Sequence, residues 1–203
     1  MITIVDYGTG NLGSIRNMLK KIGVPSEITA DPAQVAAAEQ LILPGVGAFD
    51  AGMRSLERSG LRTALDERVR HGVPTLGICL GMQLMARHSL EGDCPGLGWI
   101  DAEVVRFQST SPAMKVPHMG WNLVKPVRAA ALLDDLPPQS RFYFVHSYYV
   151  TCRNEQEVLL TTDYGIEFHS AFRRANVWGV QFHPEKSHKF GMLLLGNFAA
   201  RCR

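Results

Sequence analysis

Short apolar runs alternate with helical patterns along the first half of the chain, and this alternation restricts the fold more than any other feature. Apolar residues recur at helical spacing over 11–22 and again over about 50–71, with an interruption near Gly60. Strands separated by helices form βαβ units, and such units build parallel sheets. The sequence therefore predicts an α/β fold with a central, mostly parallel sheet flanked by helices. Three runs have the composition of its strands: 2–5, 40–43 and 74–78.

The second half has a different character, because its strand-like runs are joined by short turns instead of helices. This pattern favours an added antiparallel or mixed portion. A strand at 177–182 and an amphipathic helix over about 190–200 close the chain. With 203 residues, of which 46% are hydrophobic, the chain can bury one core but has no room for a second large catalytic unit, so we expect one domain over 1–203. The strand-like runs are 104–107, 121–124, 142–145 and 158–160.

Charge and composition argue against several classes of protein. The net charge is only +2 and no basic run is interleaved with aromatic residues, so nucleic acid is not an expected partner. No positively charged leader is seen, and no apolar run approaches the roughly 20 residues of a membrane span, so we expect a cytoplasmic protein without membrane contact. The four cysteines lack Cys-x-x-Cys spacing, which fits a reducing compartment. Cysteines and histidines also lack the paired spacing of a metal site, so no metal is expected.

Cys79 lies between two glycines, directly after a predicted buried strand and before a helical pattern. This is the layout of a nucleophile elbow, in which a sharp turn forces its apex residue into strained backbone geometry. Gly77 and Gly81 would remove the Cβ atoms that clash in such a turn. The apex side chain then points to the carboxyl end of the sheet, where open α/β folds bind ligands, and the start of the next helix favours a thiolate. An inert core cysteine is the competing interpretation.

A cysteine nucleophile needs a base, and the base needs an acceptor that orients it. His183 follows the strand-like run 177–182, so it too is expected at a strand end. Pro184 favours extended backbone at His183, and residues two apart on an extended segment face the same way. Glu185 can then accept the second imidazole proton and fix the tautomer. Taken alone, a His-Pro-Glu triplet is more often a surface turn.

Acyl transfer also needs N–H donors for the oxyanion of the tetrahedral intermediate. The loop 44–47 follows the strand-like run 40–43, and its glycines allow backbone amides to approach a ligand closely. A second donor would be the amide of Leu80, the residue after the nucleophile. An ordinary tight turn explains the loop equally well.

These segments together resemble the class I, triad-type glutamine amidotransferases, whose nucleophile motif reads Gly-x-Cys-x-Gly and whose base motif reads His-Pro-Glu. Within that family the chain is similar to the glutaminase subunits of imidazole glycerol phosphate synthases, which deliver ammonia to a synthase or cyclase subunit in a heterodimer. The resemblance implies a flavodoxin-like fold, a glutaminase activity and no cofactor. Its matching segments run through nearly the whole chain: 6–8, 10–12, 43–49, 77–84, 117–122, 143–148 and 181–187.

The resemblance also implies roles for individual residues. Cys79, His183 and Glu185 form the triad. Gly45 belongs to a pocket in which Gln83 and Glu91 hold the α-amino and α-carboxylate end of L-glutamine, with help from the backbone near Ser147 and Tyr148. Val46 and Gly47 carry an oxyanion strand that is thought to reorient when the synthase partner is occupied. Three residues are implied at the partner interface, near the passage of ammonia: Asn11, Tyr143 and Lys186.

One departure leaves the partner open. Subunits of the histidine pathway commonly carry Arg after Gly-Asn-Leu, whereas Gly13 stands there in this chain. The segments 168–170 and 187–192 are similar to a paralogous branch that serves sugar amidotransferases of bacterial surface polysaccharides. The same glutaminase chemistry could therefore supply such a partner.

Two interpretations from other classes also stand at this point. The first is a cysteine hydrolase or isomerase of the wider flavodoxin-like group, which can share the elbow but fits Gln83, Glu91 and the His-Pro-Glu triplet less well. The second is a regulatory binding protein with an inactive site, against which the complete set of triad residues argues.

Overall fold

The computed structural model describes residues 1–109 and 114–202. The first half contains β1 (Ile2–Val5), α1 (Leu12–Lys21), β2 (Ser26–Thr29), α2 (Pro32–Ala36), β3 (Leu41–Leu43), α3 (Phe49–Arg58), α4 (Leu61–Arg70), β4 (Thr75–Ile78) and α5 (Leu80–Leu84). The second half contains β5 (His88–Ser89), β6 (Cys94–Pro95), β7 (Ala102–Arg106), β8 (His118–Leu123), β9 (Lys125–Pro126), β10 (Arg141–His146), β11 (Tyr148–Cys152), β12 (Val158–Asp163), β13 (Glu167–Arg174), β14 (Val177–Val180) and α6 (His188–Arg201).

The parallel part of the main sheet has the strand order β2-β1-β3-β4-β14. Each of β1, β3, β4 and β14 is buried along its whole length. Such continuous burial is expected where helices cover both faces of a parallel sheet. Side chains of α2 to α5 form a core on one face, and those of α1 and α6 form a core on the other. The predicted α/β architecture is confirmed.

An antiparallel extension continues the sheet from β14 through β13 and β11 to β7. Beyond β7 lie the short strands β5 and β6, while β12 pairs with β13 on one side and with β9 on the other. A separate two-stranded ribbon is formed by β8 and β10. The predicted antiparallel portion is therefore also confirmed.

Some elements differ from the sequence prediction. The predicted interruption of the helix over 50–71 is confirmed, but it is a complete break into α3 and α4, where Gly60 has a positive φ of 72° that ends one helix before the next begins. The strands β2, β11 and β13 were not predicted. The sequence of β2, Ser-Glu-Ile-Thr, is polar because the strand lies at the sheet edge, half-buried. None of the helices in the described ranges is long and apolar enough to cross a membrane.

The topology brings four strand ends together. Because β1, β3, β4 and β14 are parallel neighbours, the segments that follow them meet at one edge of the sheet. These segments carry the residues that the sequence marked: 6–8 after β1, 44–47 after β3, Cys79 after β4 and 181–185 after β14. Ligands bind at this carboxyl edge in open α/β sheets.

Candidate active site

Cys79 occupies the turn between β4 and α5 with φ 54° and ψ −110°, a conformation that residues with a side chain rarely adopt. The flanking glycines make this turn possible, because neighbouring backbone atoms lie too close to them to leave room for a side chain. A Cβ atom on Gly81 would lie 1.8 Å from the carbonyl oxygen of Leu43, and one on Gly77 would lie 2.7 Å from the amide nitrogen of Met82. The predicted elbow geometry is confirmed, and the strain is held by packing on both sides.

His183 and Glu185 form a buried pair beside this turn. His183 Nδ1 lies 2.8 Å from Glu185 Oε1, and the two side chains are only 2% and 1% exposed. Burial lowers the pKa of His183, but the neighbouring Cys79 and Glu185 together raise it to about 10. Within the described ranges, His183 Nε2 meets no atom at normal hydrogen-bond geometry.

One detail of the local prediction is wrong. His183 has extended backbone, with φ −102° and ψ 95°, but Pro184–Lys186 forms a 3₁₀ turn instead of continuing the extended segment. The turn brings Glu185 back under the imidazole ring. The side chains of His183 and Glu185 thus pair across a turn. Pro184 is the first residue of that turn, a position that tolerates the fixed φ and the missing N–H of proline.

Ser187 fixes this turn to the neighbouring ribbon, and sequence reasoning gave it no role. Its hydroxyl donates to the carbonyl of His183 at 2.6 Å and accepts from the amide of Tyr143 at 3.1 Å. The amide of His183 donates in turn to the carbonyl of Tyr143 at 2.9 Å. On the other side, Gly191 of α6 packs so closely that a Cβ atom there would lie 1.8 Å from the carbonyl oxygen of Pro184. His183 and the turn after it are therefore held from two directions by contacts that no sequence motif marks.

A cavity of about 320 Å³ opens in front of the sulfur. The structure brings most of the implied site residues to its wall. Gly45 is an exception, because it packs behind the wall, where a Cβ atom would lie 2.1 Å from the hydroxyl of Tyr7. The lining also includes three residues to which sequence reasoning gave no role: Pro117, Val145 and His146. The implied residues at the wall are Val46, Gly47, Cys79, Leu80, Gln83, Glu91, Ser147 and Tyr148.

Gln83 and Glu91 are both held in fixed orientations at this cavity. Gln83 Nε2 donates to the carbonyl of Tyr148 at 2.9 Å and to Gln181 Oε1 at 3.0 Å. Glu91 Oε2 accepts from the amide of Phe49 at 3.0 Å. Burial raises the pKa of the Glu91 carboxyl. A fixed carboxylate and an amide of fixed orientation suit a ligand that carries its own charged and polar end.

The loop after β3 shows a conformation that its sequence did not predict. The amide of Val46 donates to the hydroxyl of Thr9 at 3.2 Å, and this hydroxyl also contacts the carbonyl of Val46. Gly47 has a positive φ of 107°. Leu80, as the first residue of α5, has no acceptor for its amide within the helix. In this conformation the amide of Val46 is therefore engaged by Thr9, whereas that of Leu80 needs a partner from outside its helix.

Two residues implied at the interface contact each other. Lys186 Nζ lies 5.3 Å from the ring centroid of Tyr143, in cation–π geometry. Asn11 precedes α1, which packs against the turn Pro184–Lys186. Beside them, the outward face of β8 exposes an apolar strip whose members are Met119 (61% exposed), Trp121 (46%) and Leu123 (37%).

Two histidines in separate segments meet beside the cavity, because β8 and β10 pair in register. His118 Nδ1 lies 3.0 Å from His146 Nε2, and His146 Nδ1 lies 2.7 Å from the carbonyl of Tyr148. Burial lowers the pKa of His118 to about 4 and that of His146 to about 3, so both are neutral at physiological pH. His146 then donates to Tyr148 and accepts from His118. Among residues 1–109 and 114–202, no group of three or more His, Cys, Asp or Glu could hold a metal ion.

A strained cysteine, a buried histidine–carboxylate pair and a cavity with a fixed counter-charge make up the site of a cysteine-dependent acyl-transfer enzyme on a flavodoxin-like sheet. Comparison with known proteins agrees with this class. The sequence model of the family described as "Glutamine amidotransferase class-I" matches residues 3–202. The chain belongs to this family of glutamine amidotransferases.

Relatives match along nearly their full length. "Imidazole glycerol phosphate synthase subunit HisH 2" of Methanococcus maripaludis is 54% identical, with 98% of each chain covered. The protein of the same name in Pseudomonas aeruginosa is 51% identical, again with 98% of each covered. A solved structure of PurLQS from Thermotoga maritima is similar in fold, with a TM-score of 0.73 at 15% identity over 97% of this chain and 96% of that one. The predicted class I glutamine amidotransferase fold is confirmed.

Proposed function

We propose that residues 1–203 form one glutaminase domain, which hydrolyses L-glutamine to glutamate and ammonia and passes the ammonia to a separate synthase subunit. The partner is the cyclase subunit of an imidazole glycerol phosphate synthase in histidine biosynthesis, and the pair works as a cytoplasmic heterodimer without a cofactor. The observation that carries the proposal is the buried His183–Glu185 pair at 2.8 Å, set behind a strained Cys79 at the wall of the cavity.

The chemistry begins with attack of the Cys79 thiolate on the carboxamide carbon of glutamine. Interaction with Cys79 and Glu185 keeps His183 protonated at neutral pH, as its raised pKa of about 10 indicates. His183 can therefore protonate the departing nitrogen, and ammonia leaves as a γ-glutamyl thioester forms. His183 next takes a proton from water, which attacks the thioester and releases glutamate and the thiolate. Glutamine and water are consumed, and glutamate and ammonia are formed.

The oxyanion of each tetrahedral intermediate requires N–H donors. Leu80 supplies one from the start of α5. The second comes from the loop at Val46 and Gly47, but the amide of Val46 is engaged by Thr9 in this conformation. Full activity therefore requires the loop to reorient, and we expect weak glutaminase activity from the chain alone and strong stimulation by a loaded partner. Removal of one such donor typically costs about 10²- to 10³-fold in rate.

The α-amino and α-carboxylate end of glutamine is held at the other end of the cavity. Glu91 provides a counter-charge for the ammonium group and Gln83 an acceptor beside it. Ser147 and Tyr148 also line the cavity. These groups favour an amino acid over a simple amide, which supports glutamine as the substrate.

A partner surface next to the triad supports delivery to another chain. The apolar strip of β8 is exposed, and the ring of Trp121 stacks on that of His188 with centroids 5.4 Å apart. A groove of about 740 Å³ beside Trp121 reaches Glu185. Exposed aromatic side chains of this kind are common anchors of protein interfaces. The interface proposed here comprises Asn11, Tyr143 and Lys186 with the apolar strip.

A sugar amidotransferase of surface-polysaccharide synthesis is a second candidate partner. Gly13 is exposed, and no described heavy atom lies within 4 Å of a Cβ atom built there, so packing does not require glycine at this position. An arginine there would lie on the surface, at the start of α1. His188, in the segment that is similar to the paralogous branch, also lies on the surface beside Trp121. Both differences therefore lie where a partner would be recognised.

Co-purification with each partner tests the proposal. The chain is expected to bind a (β/α)₈ cyclase subunit and to release glutamate faster when that subunit carries its own substrate. If the chain binds a sugar amidotransferase instead, the glutaminase function stands but the pathway is surface-polysaccharide synthesis. A glutamine-derived diazo ketone should label Cys79 and block activity. A chain that resists this label and hydrolyses other amides but not glutamine would favour a different cysteine hydrolase. Binding of neither partner would contradict the two-chain function.

A further inference from the structure

Gln181 is a fully buried amide next to the nucleophile. It follows β14, two residues before His183, and none of its surface is exposed. Its side-chain Nε2 donates to the sulfur of Cys79 at 3.7 Å, and its Oε1 accepts from Gln83 Nε2 at 3.0 Å. The two ends of one amide thus contact the reacting sulfur and a residue of the cavity wall.

The contact with Gln83 determines which group Gln83 presents to a ligand. An amide nitrogen carries two hydrogens, and Gln83 Nε2 directs them to Gln181 Oε1 and to the carbonyl of Tyr148. The oxygen of Gln83 is then left to face the cavity as an acceptor. A flipped Gln83 would present N–H donors, which an ammonium group cannot use.

The contact with Cys79 acts on the sulfur itself. A donor near sulfur is favourable when the sulfur carries negative charge, because hydrogen bonds to charged groups are stronger than those between neutral groups. The same contact restricts the direction in which the sulfur points. Among the described residues, His183 Nε2 has no partner at normal hydrogen-bond geometry, whereas the amide of Gln181 does make such a contact with the sulfur.

We propose that Gln181 is a positioning residue that links the two ends of the glutamine site: its nitrogen holds the sulfur of Cys79, and its oxygen keeps Gln83 turned with an acceptor toward the substrate ammonium. This inference rests on the proposed glutaminase function. It assigns specificity to a residue that does not line the cavity.

Two variants separate the two contacts. Gln181→Leu removes both the donor and the acceptor, whereas Gln181→Glu keeps an acceptor for Gln83 and places a carboxylate near the sulfur. Gln40→Leu is the matched control, because Gln40 is also a buried amide but bonds to the carbonyls of Phe198 and Cys202 in and after α6. The readouts are the pH dependence of Cys79 alkylation by iodoacetamide and kcat/KM for glutamine against glutaramate, which lacks the α-amino group.

For Gln181→Leu we expect the alkylation midpoint to rise by about one pH unit. We also expect kcat/KM for glutamine to fall about 10- to 100-fold, with a smaller fall for glutaramate, so that the preference for glutamine shrinks. For Gln181→Glu the midpoint should rise while the preference is retained. Gln40→Leu should be less stable to denaturant, with the midpoint and the preference both unchanged.

The two possible failures are distinguishable. If the wild type hydrolyses glutamine and Gln181→Leu has the same alkylation midpoint and the same preference, the inference is wrong and the glutaminase function stands. If the wild type shows no glutaminase activity with either partner, the proposed function fails, and the alkylation profile still tests the contact with the sulfur. Should Gln181→Leu not fold, an unchanged midpoint in Gln181→Glu overturns the inference.

Discussion

The close approach of Gly191 to Pro184 allows a sharp test of how the base is positioned. In Gly191→Ala the new methyl would lie 1.8 Å from the carbonyl oxygen of Pro184, well inside the 3.0 Å below which real Cβ atoms are essentially never found. The carbonyl belongs to the backbone and the methyl is bonded directly to it, so neither can rotate away, and α6 and the turn must separate by at least about 1 Å. Overpacking of this kind costs about 1–3 kcal/mol, and we expect a loss near the upper end.

The displacement falls on the residue next to Glu185, so it should also reach the contact between Glu185 Oε1 and His183 Nδ1. A misplacement of about 1 Å at a catalytic group can cost on the order of 100-fold in rate. We therefore expect Gly191→Ala to lose both stability and most of its glutaminase activity. Urea denaturation and glutamate release measure the two effects.

Gly196 in the same helix is the matched control. A Cβ atom there would lie 3.9 Å from Ile22 Cδ1, an ordinary contact. Alanine is the better helix former, so Gly196→Ala should gain about 0.5–1 kcal/mol and keep its activity. Parental stability and activity in Gly191→Ala would refute the reasoning that α6 holds the turn beneath the base.

Three further predictions concern the loop and the buried histidines. Thr9→Val should raise basal glutaminase activity several-fold, because it releases the amide of Val46 as an oxyanion donor, whereas Thr9→Ser should not; a fall in Thr9→Val would contradict this. Because the pKa of His183 is raised, the stability that its protonated form contributes is present below pH 6.5 and is lost as the pH rises through about 10. Denaturation should therefore show a smaller alkaline loss of stability in His183→Asn than in the wild type, and an equal loss would contradict this prediction. Because the pKa values of His118 and His146 are lowered, the folded state loses stability as the pH falls from 6.5 toward 4 and 3. His118→Asn should lose less stability over this range, and a wild-type stability that does not change with pH there would contradict the prediction.

The parallel core could be predicted from sequence because its signals are local. Runs such as 2–5 and 74–78 are apolar on both faces, and the helices between them show clear periodicity. The strand β13 escaped prediction, since its sequence mixes charged and apolar residues while its pairing with β12, β11 and β14 is set by distant segments. Strand propensity is decided by such neighbours more than by the strand itself.

The site was predictable where a motif marks it. The glycines around Cys79 and the proline after His183 identify an elbow and a strand end, since each residue type restricts the backbone locally. Ser187, Thr9 and Gln181 could not be assigned in this way, because their roles depend on hydrogen bonds to residues far along the chain. The engaged amide of Val46 is likewise a property of the tertiary structure.

The measurement that tests the central claim most directly is the rate of glutamate release by Cys79→Ala, made with and without the loaded partner. The buried thiol of Cys152 offers a control, because Cys152→Ala removes a cysteine away from the cavity. The account predicts that Cys79→Ala releases no glutamate above background and that Cys152→Ala keeps the wild-type rate in the complex. Glutamate release by Cys79→Ala at the wild-type rate would contradict the account.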